Sequence, residues 1–373
     1  MTTSHMMTHQ VSCTSCGLPY PENGTPYICE CGGVYDFSIF PIFSKRRIDQ
    51  DSTGIWQFRS SLGLAEFAPV VTLGEGSTPL LPGVFNEHPV FFKMESQNPT
   101  GSYKDRGSAV LVSFLLSRGV TSAVEDSSGN AGASLAAYCA RSGLSVRVYI
   151  PESASGPKRW QIEMYGANVE RIPGARSKAA EAVLRVVKNG SVYASHAYMP
   201  FGLTGIATIA YEIFESLGRV PRTIITPVGH GGLLYGIMLG FEALQHAGFI
   251  KDLPFFIGVQ AENCAPVVEA YQRNSQEIVD VQIQPTLAEG ASVTRPLRAG
   301  QILRRMQAGA GKMLGVSEDD LYKAYLLSAR QGLFCEPTSC LSLAPLLNDK
   351  IEVVEPVVIV LTGSGSKTNT IST

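Results

Sequence analysis

In the stretch NPTGSYKDRGSAV (Asn98 to Val110), a single lysine, Lys104, sits between a glycine turn and a run with helical character. A primary amine at a loop-to-helix junction can form an imine or move a proton, and it can equally be the solvated first turn of a helix. Glycine-rich stretches elsewhere bear on that choice. GHGG (Gly229 to Gly232) frees the backbone for close approach, and successive N–H groups at a helix start cradle an anion. It has neither the Lys-Ser/Thr pair of a P-loop nor the G-x-G-x-x-G spacing of a dinucleotide site. SSGN (Ser127 to Asn130) supplies two hydroxyls, free amides and a carboxamide at another helix start, a set suited to a carboxylate and a phenolic oxygen or to ordinary capping. A separate group of thiols lies in CTSCGLPYPENGTPYICECGG, where Cys13 and Cys16 are two residues apart and Cys29 and Cys31 only one. Four thiolates on two hairpin tips make a closed structural zinc site; the tighter second spacing leaves a metal-free unit with reduced thiols as the alternative. The other cysteines, Cys139, Cys264, Cys335 and Cys340, are scattered in apolar surroundings and read as buried thiols.

The elements that must position these residues alternate. The strand-like VFFKME, TSAVED, SVRVYIP, RTIITPV, PFFIGVQ and PVVIVL interleave with the helical patterns YKDRGSAVLVSFLLSRG, NAGASLAAYCARSG, PKRWQIEMYGA and GLLYGIMLGFEALQHAG. Such alternation predicts an α/β protein with mostly parallel sheets covered by helices. SSGN, GHGG and TGSGSKT (362–368) each follow a strand, and ligands gather where loops leave the carboxyl ends of strands. The 373 residues are too many for one core. A net charge of -2 argues against a nucleic-acid partner, as does the absence of Lys and Arg between Gln10 and Gly33. SKRR (44–47), the one basic cluster near that unit, reads as part of a solvated arm. No apolar run spans a bilayer, and MTTSHMMTHQ has no feature of a signal or transit peptide, so a cytoplasmic protein is expected.

A lysine imine, a phosphate cradle and a polar loop are the requirements for holding pyridoxal phosphate. With GEGSTPL, NPTGSYKDRG, SSGNAGASLAAYCARSG, PVGHGGLLYG, AEGASV, FCEPTSC and LTGSGSKT in order from about Leu73 to Lys367, the chain resembles the threonine synthase-like branch of the fold-type II (tryptophan synthase β-like) pyridoxal-phosphate enzymes. The resemblance implies a two-lobed fold with mostly parallel sheets plus a small zinc-ribbon-like unit. The expected division is 10–35 for that unit, 36–88 for an arm without an obvious core pattern, 89–105 with 203–373 for a large cofactor-binding domain, and 106–202 for a small domain. It further implies that Lys104 carries the cofactor as a Schiff base and later moves protons at the substrate's Cα. Asn130 would bond the ring hydroxyl, Ser127, Ser128 and Gly129 would receive the substrate carboxylate, and Gly229, His230, Gly231, Gly232 and Leu233 would bind the phosphate. Thr362, or by motif position less readily Ser364, would face the pyridine nitrogen. A homodimer acting on a small amino acid is the implied assembly.

One stretch departs from the branch. Threonine synthases tend to carry Asn-Pro-x-Arg before a Leu-x-Gly turn, whereas SHAYMPFGLTG (Ser195 to Gly205) puts Met199 at the asparagine and Gly202 at the arginine. Losing a guanidinium removes the group best matched to a phosphate dianion. The branch's closing GLKD also reads GSKT here. The residues therefore predict elimination or replacement at the β (or γ) carbon of an amino acid, with O-phosphohomoserine a poor substrate. Threonine synthase proper, threonine or serine dehydratase and, outside catalysis, a zinc-ribbon binding protein are the alternatives. Lys158, Arg159, His196 and Arg176 are the candidates for replacement charge.

Overall fold

A computed structural model describes residues 10–45, 52–347 and 351–368. Met1 to His9, nine of the ten residues of MTTSHMMTHQ, lie outside the described residues, as do Arg46 and Arg47 of SKRR. The elements are β1 (Val11–Cys13), β2 (Tyr35–Phe37), β3 (Leu80–Phe85), β4 (His88–Lys93), α1 (Lys104–Ser117), β5 (Ser122–Glu125), α2 (Asn130–Ser142) and β6 (Ser145–Pro151). There follow α3 (Pro157–Met164), β7 (Asn168–Ile172), α4 (Arg176–Lys188), β8 (Val192–Tyr193), α5 (Gly202–Leu217), β9 (Thr223–Pro227) and α6 (Gly232–His246). The chain continues through β10 (Phe255–Ala261), α7 (Pro266–Gln272), α8 (Ala299–Arg305), β11 (Gly311–Val316), α9 (Glu318–Arg330), α10 (Pro337–Cys340) and β12 (Val357–Val360). The described residues fall into two compact units, one of those up to Gly76 with Lys104–Gly205 and one of those in Ser77–Tyr103 with Ile206–Thr368. Among the described residues no helix is long and apolar enough to cross a membrane.

The first unit holds a parallel sheet in the order β7-β6-β5-β8. β5, the earliest strand, has its successors β6 and β8 on opposite sides, so the order reverses between β5 and β8, and open α/β sheets take their ligands in the crevice at the carboxyl ends of such a pair. Helix α1 packs on α2 through buried small residues, with Ser134 Oγ donating to Ser108 Oγ at 2.7 Å. The antiparallel β1–β2 pair joins this core through Tyr20, whose ring meets Phe201 edge-on at 4.9 Å, and Phe201 stacks on Phe114 of α1 at 3.7 Å. The segment without an obvious core pattern in its sequence contributes buried side chains, among them Ile55, Trp56, Phe58 and Leu62. Its anchor is Glu75 of GEGSTPL, a buried carboxylate that accepts from Trp56 Nε1 at 2.7 Å, Tyr138 Oη at 2.7 Å and the Leu73 N–H at 2.9 Å. Those donors satisfy a charge that burial alone would make costly.

The second unit is built on a six-stranded sheet, β11-β10-β9-β12-β4-β3, parallel except for the β3–β4 hairpin. TIITP of β9 and VVIV of β12 are continuous runs because the strands are buried on both faces. The hairpin turns on Asn86 and Glu87, with φ of 45° and 69°, the two left-handed positions that suit the twist of a two-residue loop. Lys93, at the end of β4, is fully buried. Its Nζ lies 2.5 Å from Glu212 Oε2 and donates to the Thr78 carbonyl at 2.7 Å, while the Ser77 N–H donates to Glu212 Oε1 at 2.8 Å.

Candidate functional site

In the second unit three neighbouring parallel strands, β4, β12 and β9, deliver their following loops to one edge. After β9 the chain makes the GHGG turn and enters α6. Gly231 takes a left-handed conformation (φ 91°) ahead of the helix, and no side chain caps it, so the first-turn N–H groups form an anion cradle at the positive end of α6. A Cβ on Gly231 would meet Ile302 Cδ1 at 2.6 Å and Arg298 Cβ at 3.1 Å, which explains the glycine. The turn is braced by Arg298, whose N–H donates to the His230 carbonyl at 3.1 Å, and by AEGASV, since a Cβ on Gly229 would come within 3.3 Å of Ala291 Cα. His230 and Leu233 flank Gly231 and Gly232 in this turn.

After β12 comes Thr362, buried, with its Oγ1 2.9 Å from Ser339 Oγ and donating toward Glu336 Oε1 at 3.4 Å. Ser364 instead turns outward to Ser366 Oγ at 2.8 Å. After β4, the segment leading to Lys104 is clamped onto the post-β12 loop. The Tyr103 N–H donates to the Thr362 carbonyl at 3.0 Å, the Ser364 N–H to the Gly101 carbonyl at 2.9 Å, and buried Lys367 Nζ to the Thr100 carbonyl at 2.6 Å. The departure from GLKD therefore keeps its lysine as a clamp.

In the first unit, Lys104 is the first residue of α1 and SSGN connects β5 to α2. Gly129 caps α2 in extended conformation without a side-chain bond, and its N–H lies 3.3 Å from Ser127 Oγ. Gly132 is required by close approach, because its Cβ would fall 1.9 Å from the Ser127 carbonyl. Nothing stands within 3.8 Å of a Cβ on Gly129, so the turn has room in front of it. Ser127, Ser128, Gly129 and Asn130 thus share one turn at the carboxyl end of β5.

The last residue of β5 is Glu125, which sequence reasoning passed over. It is fully buried, and neither carboxyl oxygen has a hydrogen-bond partner. His196, in the loop after β8, places Nδ1 3.5 Å from Glu125 Oε1. Burial, reinforced by Asp126, holds the Glu125 carboxyl well above its usual range, against the opposing charges of Arg176 and Lys104. A glutamate ending an apolar strand in VEDSSGN was the available signal. Of the other candidate charges, Arg159 is committed to Glu163 at 3.5 Å and to the Ala154 carbonyl at 3.1 Å. Met199 is buried, and a Cβ on Gly202 would press on the Gly107 carbonyl at 3.1 Å, so this corner is packing.

The four N-terminal thiols converge. Their sulfurs lie within 4.8 Å of one another, with Cys13 Sγ 3.4 Å from Cys31 Sγ and Cys16 Sγ 3.7 Å from Cys29 Sγ. Sulfurs about 2.3 Å from a tetrahedral zinc stand about 3.8 Å apart, so the set fits that ion. The Ser15 N–H points at Cys13 Sγ at 3.4 Å, as amides do around bound thiolates.

Comparison with known proteins gives the same picture. Residues 71–363 match the family described as pyridoxal-phosphate dependent enzyme. Threonine synthase of Methanocaldococcus jannaschii is 34% identical, over 95% of this chain and 92% of that protein. Threonine synthase of Synechocystis sp. is 34% identical, over 83% of this chain and 82% of its own. Among solved structures, T.th. threonine deaminase superposes with a TM-score of 0.67 at 25% identity, covering 79% of this chain and 94% of that one. Maize serine racemase superposes with a TM-score of 0.69 at 20% identity, covering 78% of this chain and 88% of that one, a likeness of fold.

Proposed function

Because this chain belongs to the family of pyridoxal-phosphate-dependent enzymes, with a fold-type II architecture, we propose that it eliminates or replaces a group at the β (or γ) carbon of an amino acid. The observation that carries this reading is the shared strand edge of the second unit. The glycine cradle, Thr362 and the clamped segment ending at Tyr103 leave adjacent parallel strands there, and Lys104 is the next residue.

When bound, pyridoxal phosphate withdraws electrons from the substrate's Cα. Lys104 holds the cofactor at rest and, once released, moves the Cα proton with its ε-amine. The main-chain N–H groups of Gly229, His230, Gly231, Gly232 and Leu233 bind the phosphate. Asn130 orients the ring hydroxyl, and Ser127, Ser128 and Gly129 take the substrate carboxylate. Thr362 offers the pyridine nitrogen a neutral hydroxyl, which leaves that nitrogen unprotonated and favours β-chemistry over transamination.

The alternative is threonine synthase proper, favoured by the names of the relatives. It would need a replacement for the arginine that Gly202 lacks. The expected result is turnover of serine, threonine or an O-ester, with O-phosphohomoserine poorer by about two orders of magnitude in kcat/KM, the cost of roughly 3 kcal/mol in lost charged hydrogen bonds. A panel assay that found efficient phosphate release from O-phosphohomoserine, and nothing from the β-substituted set, would select the alternative.

Cys13, Cys16, Cys29 and Cys31 hold one structural zinc in this reading, with no open position for catalysis. Metal analysis should find one zinc per chain, and chelation should lower thermal stability while sparing most of the turnover. A cytoplasmic location is expected from the scattered cysteines, which read as reduced thiols. The protein is expected to be a homodimer, and light scattering that returned the mass of one chain would refute that assembly.

A further inference from the structure

We propose that Glu125 and His196 form a proton-sharing couple that protonates the departing group of the substrate, suiting the enzyme to poor leaving groups such as hydroxyl. The inference rests on the β-elimination reading above and specifies the leaving-group class. The geometry begins at the crevice of the first unit, where the loops after β5 and β8 diverge. Glu125 ends β5 two residues before Ser127, in the loop assigned to the substrate carboxylate. Both of its oxygens are buried without a hydrogen bond, a costly arrangement that structural packing does not explain. His196 lies against it at 3.5 Å with its side chain 26% exposed and that of Glu125 1%, so the imidazole reaches solvent where the carboxyl does not. Asp126, next to Glu125, is already engaged by Tyr193 Oη at 2.7 Å.

The charged and titratable groups acting on Glu125 come from every element around it. They are Asp126 in its own loop, Arg176 at the start of α4 and Lys104 at the start of α1. Cys139 on α2 and Tyr193 on β8 feel its charge in turn, and His196 faces it from the loop after β8. Standing 3.5 Å apart, the carboxyl, which burial raises above its usual range, and the imidazole can share one transferable proton, either on the acid or as an imidazolium–carboxylate pair. In the step itself Lys104 removes the Cα proton, and the pair from that bond becomes the Cα–Cβ double bond. The Cβ–O bond breaks, its pair leaves on oxygen, and the oxygen takes a proton from the second ring nitrogen of His196 to depart as water. His196 is left neutral beside an ionised Glu125, and the couple takes a proton back from solvent through the part-exposed imidazole, balancing the proton that Lys104 took from Cα. His196 is the catalytic residue and Glu125 the positioning residue.

The test uses the cofactor-loaded enzyme and two near-isosteric variants, Glu125→Gln and His196→Asn, each checked for fold by circular dichroism. Elimination from serine should fall about a hundredfold in both, and elimination from β-chloroalanine, whose chloride needs no proton, at least ~10-fold less. Histidine-selective nitrogen NMR, with the His196 signal assigned by its loss in His196→Asn, should show its titration displaced in Glu125→Gln. Equal losses on the two substrates overturn the leaving-group role, and an unchanged His196 titration overturns the couple. Absence of turnover on both substrates in the unaltered enzyme would instead overturn the reading of function, and this step with it.

Discussion

Lys104→Ala is expected to purify without the visible band of a lysine-linked cofactor, to yield no pyridoxyl adduct after borohydride, and to lose roughly four orders of magnitude in turnover. The size follows from one amine serving as both covalent anchor and proton carrier. The fold should survive, because Lys104 is a partly exposed first-turn residue and alanine is a better helix former. The approach to it is held by main-chain bonds, Tyr103 N–H to the Thr362 carbonyl and Ser364 N–H to the Gly101 carbonyl, which the substitution leaves intact. Peptide mapping of the reduced native enzyme checks the assignment. An adduct on Lys158 would move the anchor to α3, and one on Lys93 would require a buried ion pair to open.

That ion pair gives the largest expected effect on stability. Lys93→Met should destabilise the protein by about 3–5 kcal/mol, because it leaves Glu212 buried with an uncompensated charge. The Ser77 N–H that donates to Glu212 Oε1 can offset only part of this. Lys93→Met combined with Glu212→Leu should recover most of the loss, since the desolvation of both charges is removed along with their attraction. Urea melts of the two single variants and the double variant measure the coupling. Purely additive losses would mean that the two side chains act independently.

The glycine turns and the main strands were legible in the sequence for the same reason. Close backbone approach leaves glycines in the text, as at Gly231 and Gly132, and doubly buried strands leave apolar runs such as VVIV. Elements without such an imprint were missed. β8 is only Val192 and Tyr193, too short for a period. β7, NVERI, is largely solvent-facing, and β11, GKMLGV, has its glycines where a strand is least expected. β3, LLPGVF, is an edge strand, which is where a proline is tolerated. The core of residues 54–62 escaped notice because its organiser, Glu75, is a charged residue whose burial depends on donors from Trp56 and Tyr138 that no local pattern reveals. Glu125 was hidden likewise, since its significance comes from His196, 71 positions away and brought near only by the β5–β8 pairing.

The position of β12 bears on how the protein is made. It is the last strand in chain order among the described residues, yet it sits in the middle of its sheet, between β9 and β4. A nascent chain that has emerged only as far as Glu355 has β3–β4 as one fragment and β9–β10–β11 as another, each with an unpaired edge and nothing to bridge them. Translation must therefore pass Val360 before the six-stranded sheet can close, and until then both edges are open to chaperones or to pairing with other nascent chains. A premature stop before Val357 would not trim this enzyme. It would leave two half-sheets with nothing to join them.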